Sequence, residues 1–302
     1  MDSELSVSGF VAVVGFSNVG KSTLVNRLVG QKVSIVSGKP QTTRNRIRGI
    51  LNDDDMQIVF VDTPGIQKPR DRLEEHMVAG ARSAMGDVDL NLLVVDGARR
   101  SPGRGDRACA HLVDRAGRPA ILVVNKMDAV PAERREERVR TYSALGDFAA
   151  VLGISALHGW NVDALRDEIV ARLPSGPRYF PPDMTSDQPM PFLVAELIRE
   201  KILEVTEQEV PYSVAVAVVS AEERPGGKYY LAADILVERE SQKGILIGAG
   251  GRMIKTIGER SREEVERVME VDVYLDLHVR VQRRWRDSHV VLRELGLRWE
   301  RE

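Results

Sequence analysis

Along the first half of the chain, short runs of unbroken apolar residues alternate with longer stretches in which apolar positions recur every three or four residues. Phe10–Val14, Ile58–Val61, Leu90–Val95, Ile121–Val124 and Val151–Ile154 are the strand-like runs. Runs of this kind belong to strands buried on both faces, and the amphipathic stretches between them supply the covering helices. The pattern predicts an α/β unit with a mainly parallel sheet. Between Pro174 and Pro191 both periods vanish, and six of the 14 prolines fall there. Residues 174–191 therefore read as a proline-rich linker between a unit at 1–173 and another at 192–302.

The second half is patterned differently. A helical stretch near Pro191–Thr206 precedes two alternating strands, Ser213–Ser220 and Lys228–Val237, with Pro225-Gly226-Gly227 as the turn between them. A glycine-rich turn at Gly248–Gly251 follows, then an amphipathic helix to about Met269, a strand near Val271–Val281 and a last helix near Leu292–Leu295. This unit is expected to be α+β.

A length of 302 residues suits two domains, each able to bury its own core. With 43 basic and 45 acidic residues the net charge is −2, which excludes a uniformly basic coat protein and makes any nucleic-acid site local. No apolar run approaches the roughly 18–20 residues of a membrane helix. The start, Met1-Asp2-Ser3-Glu4, lacks the pattern of a secretory signal. One cysteine, Cys109, excludes an internal disulfide and a multi-cysteine zinc site, so a cytoplasmic setting is expected.

Gly15-Phe16-Ser17-Asn18-Val19-Gly20-Lys21-Ser22-Thr23 follows one expected strand and opens a helix, the context a phosphate-binding loop needs. Its backbone N–H groups and the helix N-terminus would face a polyphosphate, Lys21 would meet the β- and γ-phosphates, and Ser22 would ligate magnesium. Asp62-Thr63-Pro64-Gly65 ends a second strand, where Asp62 can serve the magnesium and the Gly65 N–H can sense a γ-phosphate. Asn125-Lys126-Met127-Asp128 ends a third. An ionised Asp128 accepts from both the N1–H and N2–H of guanine, donors that adenine lacks at that edge. Ser155-Ala156 would complete the base pocket.

These four elements resemble, in order and spacing, the translation-factor-like class of small GTPases, with an ATPase or kinase as the alternative. Gln41-Thr42-Thr43-Arg44-Asn45 then fits a switch segment, with Thr43 as the second magnesium hydroxyl and Thr42 as the other candidate. Lys21, Thr43 and Gly65 are the expected catalytic groups. Where many relatives carry a water-orienting Gln, Ile66 stands, and an alkane cannot hold the attacking water, so slow intrinsic turnover is expected. The resemblance implies a potassium ion held by Asn18; a plain loop hydrogen bond is the other reading.

In the second unit, Gly248-Ala249-Gly250-Gly251 lies immediately before a helix that carries Arg252 and Lys255. The arrangement resembles a type II KH domain, which clamps the backbone of single-stranded nucleic acid at such a turn. Arg280, Arg283, Arg284 and Arg286 flank Trp285, either as an RNA surface or as a solvated face around a core tryptophan. Nearly the whole chain resembles the Era family of ribosome-assembly GTPases, most specifically in Gln41-Thr42-Thr43-Arg44 and in the string Ile247–Gly258. The resemblance implies GTP hydrolysis with GTP/GDP and Mg2+ as ligands. It further implies binding of small-subunit (16S) ribosomal RNA near its 3′ end, work on the immature small subunit, and peripheral contact with the inner face of the cell membrane; a monomer is expected. The chain departs from the family in two places: Phe16-Ser17 stands where Arg-Pro is usual, and Gly250 where a Lys is, removing one phosphate contact. The rival readings are a KH-containing GTPase that acts on another RNA, a protein-interaction module, and an RNA-modifying enzyme using Cys109.

Overall fold

Each of the five apolar runs coincides with a strand; four are lengthened by a residue or more, and the fifth, expected at Val151–Ile154, lies one residue earlier at Ala150–Gly153. A computed structural model describes residues 7–297; the acidic start Met1–Glu4 lies outside the described residues. The backbone divides into two units, Met1–Pro69 with Met77–Asp187, and Arg70–His76 with Gln188–Glu302.

In the first unit the elements run β1 (Val7–Val14), α1 (Lys21–Val29), β2 (Ile47–Asp53), β3 (Met56–Asp62), α2 (Arg72–Gly86, whose first turns fall in the second unit), β4 (Leu90–Asp96), α3 (Arg104–Arg115), β5 (Ala120–Asn125), α4 (Arg135–Ser143), β6 (Ala150–Gly153) and α5 (Val162–Val170). The sheet order is β2-β3-β1-β4-β5-β6; β2 is antiparallel to β3 and every other pair is parallel. Successive β1 residues point to opposite cores. Val11 and Val13 pack with Leu24 of α1 and Leu165 of α5, whereas Ala12 and Val14 pack with Met85 of α2, Val113 of α3 and Tyr142 of α4. Both faces being covered is why these strands read as unbroken apolar runs. Strand β2, whose Arg48, Gly49 and Asn52 interrupt the apolar pattern, was not expected; it exists because β3 supplies a full antiparallel ladder.

The expected linker behaves differently over most of its length, because residues 174–187 are fastened to the first unit. The Ser8 N–H donates to Pro174 O at 3.0 Å and the Ile50 N–H to Thr185 O at 2.8 Å, while Ser186 bridges to Gly49 and Arg48 pairs with Asp187 at 2.7 Å. Proline lacks an N–H, so this strap cannot form a full ladder. The buried Gln57 side chain replaces it, accepting from the Tyr179 and Phe180 N–H groups at 2.6 and 2.9 Å and donating to Phe180 O at 2.8 Å.

The second unit contains α6 (Met190–Val205), α7 (Val210–Ser213), β7 (Ala215–Arg224), β8 (Lys228–Val237), α8 (Glu240–Ile247), α9 (Arg252–Met269), β9 (Val273–Val281) and α10 (His289–Glu294). Strand β8 is central, antiparallel to β7 and parallel to β9. Three expectations shift. The strand expected from Ser213 begins at Ala215, because the Ser213 hydroxyl closes α7 by donating to Glu209 O at 3.1 Å. The strand expected from Val271 begins at Val273, since Glu270 ends α9 in a left-handed conformation. Helix α8 was not expected; its start is capped by the Gln242 side chain, which accepts from the Glu238 and Arg239 N–H groups at 2.9 and 3.0 Å, in place of the usual short cap residue.

If Gln57 holds the strap, Gln57→Leu leaves two N–H groups and a carbonyl without their partner, at about 1–3 kcal/mol for each buried group. Limited trypsin digestion should then cut after Arg178 several-fold faster than in the unsubstituted chain, with nucleotide binding unchanged.

Candidate functional site

The four nucleotide-site motifs lie at the carboxyl ends of β1, β3, β5 and β6, the edge of an open parallel sheet where ligands bind, and Gln41–Asn45 precedes the start of antiparallel β2 at the same edge. There a cleft is bounded by Ser17, Asn18 and Gly20–Thr23 on one side and by Gln41, Thr42, Thr43 and Gly65 on the other. Lys21 is buried, and its Nζ donates to Phe16 O at 3.0 Å and Gly15 O at 3.3 Å. Burial lowers its pKa from the ordinary lysine value, with the Asp62 charge opposing that shift. Asp62 is driven the other way, its pKa raised by burial against the opposing pull of Lys21 and of the Ser22 and Thr43 hydroxyls.

Two hydroxyls converge at Asp62. Ser22 donates to Asp62 Oδ2 at 2.7 Å, Thr43 Oγ1 is 3.3 Å from the same oxygen, and the two hydroxyls are 2.8 Å apart. Asp62 Oδ1, also buried, has no hydrogen-bond partner among the described residues. An orphaned buried carboxylate oxygen beside two hydroxyls suits a hard cation such as Mg2+. Among the described residues no group of three or more His, Cys, Asp or Glu could cage a metal, so a cation here would take further oxygens from outside the chain, water or phosphate. Of the two threonine candidates, Thr43 faces Asp62, whereas the Thr42 hydroxyl donates to Lys39 O at 2.8 Å. Arg44 is buried and Asn45 half-buried in the same segment.

Gly65 approaches the phosphate loop so closely that a Cβ would lie 2.8 Å from Ser17 Cα. Only glycine brings this N–H to the cleft. Next to it the Ile66 N–H donates to Gly15 O at 3.2 Å. The Thr63 hydroxyl donates to Val13 O at 2.8 Å, which makes it an anchor for the strand end beside Pro64. The Phe16 ring covers Gly105, where a Cβ would be 2.5 Å from Cδ2, so the residue that departs from the family pattern packs against α3.

At the base end, Asn125 is a staple: its Nδ2 donates to Val19 O and its Oδ1 accepts from the Ala156 N–H, both at 2.9 Å. Lys126 reaches over the phosphate loop to Asn18 O at 2.7 Å and Asp96 Oδ2 at 2.9 Å. Met127 is buried, with its N–H on Ile154 O at 3.0 Å. Asp128 remains partly open to solvent, and Ser155 Oγ accepts from the His158 N–H at 3.2 Å. Sequence reasoning missed two supports, Asp96 and Arg27; the Arg27 Nη2 holds Leu157 O at 2.6 Å and its Nε holds Ala156 O at 3.2 Å. Asp96 was legible as an Asp-Gly pair closing a strand; Arg27, on an ordinary helix, carried no signal.

In the second unit Gly248 adopts φ 71°, ψ 171°, and a Cβ there would meet Met253 Cβ at 2.8 Å, whereas Gly250 and Gly251 face open space. The turn therefore presents bare backbone at the start of α9. Arg252 is exposed, with Nε on Ala249 O at 3.2 Å, and the exposed Lys255 lies 3.9 Å from Glu259. Trp285 is fully buried, donating to Ser213 O at 2.8 Å, so the tryptophan itself belongs to the core. Arg283 and Arg284 are exposed in the turn after β9, and Arg286 pairs with Glu238 at 2.8 Å and with Asp71, in the same unit, at 3.1 Å. Cys109 is buried in α3 and its thiol is pushed up to about 12, mainly by burial, which leaves no reactive thiolate.

Comparison with known proteins agrees with this geometry. Residues 10–126 match the family described as 50S ribosome-binding GTPase, and residues 209–286 match the KH domain. GTPase Era of Heliobacterium modesticaldum is 46% identical over 289 residues, 96% of each chain, and that of Caldanaerobacter subterraneus is 48% identical over 290 residues, 96% of this chain and 97% of its own. The chain belongs to the Era family of GTPases. Among solved structures, an Aquifex aeolicus Era variant bound to GDP and aluminium fluoride aligns with a TM-score of 0.93 at 37% identity, covering 96% of this chain and 99% of that one. Era in complex with MgGDPNP and nucleotides 1506–1542 of 16S ribosomal RNA aligns with the same score, identity and coverage. The fold expected for an Era-family chain, a GTPase unit with a mostly parallel sheet followed by a KH domain, is the fold found. Among the described residues no helix is long and apolar enough to cross a membrane.

Asp128→Asn tests the base pocket of this Era-family site. The amide can donate to the carbonyl that xanthine carries in place of guanine's amino group, so affinity should move from GTP towards xanthosine triphosphate. The swing in relative affinity should approach the roughly 10⁴–10⁵ typical of polar recognition sites, read by competition binding.

Proposed function

We propose that the chain is a GTP-hydrolysing switch that binds small-subunit (16S) ribosomal RNA near its 3′ end and assists maturation of that subunit. The observation that carries this reading is the pairing, in one chain, of the Ser22, Thr43 and Asp62 oxygen cluster with an open Gly248–Gly251 turn. Its support is a TM-score of 0.93 to an Era structure holding both MgGDPNP and that RNA. Lys21 neutralises charge on the β- and γ-phosphates, and its low-dielectric setting strengthens that interaction. Ser22, Thr43 and Asp62 would hold Mg2+, which when bound supplies charge neutralisation between the phosphates. Gly65 presents its N–H to the γ-phosphate. Asp128 reads guanine, while Asn125 and Lys126 keep the loops around the base in register.

The side chain of Ile66 is buried and has no polar atom with which to orient water. Asn18 bears on what replaces it. Its Nδ2 donates to Gly38 O at 2.7 Å, and its Oδ1 takes no hydrogen bond among the described residues. That oxygen suits a potassium ion beside the phosphates, which would add positive charge where a water-holding Gln is missing. In the second unit the Gly248–Gly251 turn clamps RNA backbone at the N-terminus of α9, helped by Arg252, Lys255, Arg283 and Arg284, without the cation that Gly250 replaces. Since ribosomal RNA is its partner, the chain is assigned to the cytoplasm, as a monomer, with any membrane contact peripheral.

Two experiments test these assignments. In the first, Ala249 and Gly250 are both replaced by Asp, a residue that tolerates the left-handed backbone at 250. RNA binding should fall at least about a hundredfold in a filter assay while GTP affinity is kept; unchanged RNA affinity excludes the turn as the clamp. In the second, sodium is exchanged for potassium at constant ionic strength. Turnover should rise, and Asn18→Ala should abolish the rise, whereas equal rates in the two salts would make Asn18 a loop residue only.

A further inference from the structure

Between Asp96 and Pro119 the chain carries Arg99, Arg100, Arg104, Arg107, Arg115 and Arg118 and no lysine. All six are exposed, and among the described residues none of them forms an ion pair. Only two carboxylates share the segment, and one of them, Asp106, is buried as the cap of the Gly103 N–H at 2.7 Å. A chain with a net charge of −2 thus concentrates about four uncompensated positive charges on one loop and one helix. Arg104, Arg107 and Arg115 recur at helical spacing on the solvent face of α3, opposite Cys109 and Val113, which are buried in the core. Side-chain geometry explains why arginine alone is used: its planar fork matches phosphate oxygens two at a time, which a lysine does not.

We propose that this arginine face is a second RNA contact, which grips the phosphate backbone of structured ribosomal RNA outside the stretch held by the Gly248–Gly251 turn. The proposal rests on the RNA-binding function proposed above. Two features favour RNA over a membrane surface. None of the exposed large apolar residues lies between Asp96 and Pro119, and the apolar side of α3 is used up in the core, so the helix has nothing to insert among acyl chains. The segment has no Asn, Gln, Phe, Tyr or Trp, and its exposed side chains are mostly arginine forks suited to phosphate, so the contact proposed is to backbone.

The test uses the full chain with Arg104, Arg107 and Arg115 replaced by Ala. Binding is measured against salt for the stem-containing 3′ segment of the small-subunit RNA and for a single strand of about eight nucleotides, long enough for the KH turn alone. For the long RNA, the plot of log affinity against log salt should become shallower by about one for each contacting arginine removed, with affinity roughly tenfold lower or more at 0.1 M salt. Short-strand and GTP affinity should not change. Unchanged slope and affinity for the long RNA, with the unsubstituted chain binding normally, would overturn the proposal alone. Failure of the unsubstituted chain to bind either RNA would overturn the RNA reading and this proposal with it. Loss of binding to phosphatidylglycerol vesicles with RNA affinity intact would overturn it in favour of a membrane contact.

Discussion

A lysine and an aspartate are held out of water at one edge of the sheet, and the rest of the first unit is arranged around that constraint. Withdrawing a charge from water costs several kcal/mol per ion even after relaxation. Lys21 is stabilised by two loop carbonyls and Asp62 by two hydroxyls, and each feels the other's charge, yet their pKa values still shift towards the neutral forms. The unmatched groups leave room for a ligand: phosphate oxygens would complete Lys21, and a hard cation would complete Asp62 Oδ1, which has no hydrogen-bond partner among the described residues. Ligand binding and folding are therefore linked, because a bound nucleotide relieves a cost that the fold otherwise bears.

The recognition motifs share a second task. Asn125 spans from Val19 to Ala156, Lys126 from Asn18 to Asp96, and Arg27 from α1 to the segment after Ser155. Three loops that are far apart in sequence are thereby held in one arrangement by side chains of, or next to, the motifs at this edge of the sheet. Such preorganisation keeps the entropy of ordering the loops from falling on the binding step. It also explains why a motif defined by its ligand reappears as a set of internal hydrogen bonds.

How much of this was legible follows from what each residue has to do. The inner strands were, since burial on both faces forces apolar residues at every position. Thr43 could be preferred from its place in a polar segment, with Thr42 as the other candidate, and the geometry sets the Thr43 hydroxyl, not that of Thr42, beside Asp62. Strand β2 was hidden because a sheet edge tolerates Arg48, Gly49 and Asn52 on a ladder supplied by β3. Helix α8 was hidden because Gln242 caps it from within. The proline-rich stretch looked like a tether because its composition forbids a regular ladder; that one buried glutamine could take over the bonding is not visible in local pattern.

That same stretch has a consequence for how the molecule meets other chains. An edge strand offers a row of unpaired N–H and C=O groups, a template on which a second polypeptide can add itself. Here the Ile50 N–H and the Arg48 carbonyl are already taken by Thr185 and Ser186. The chain occupies its own vulnerable margin, and a stranger that would extend the sheet must first displace a segment covalently tied to it.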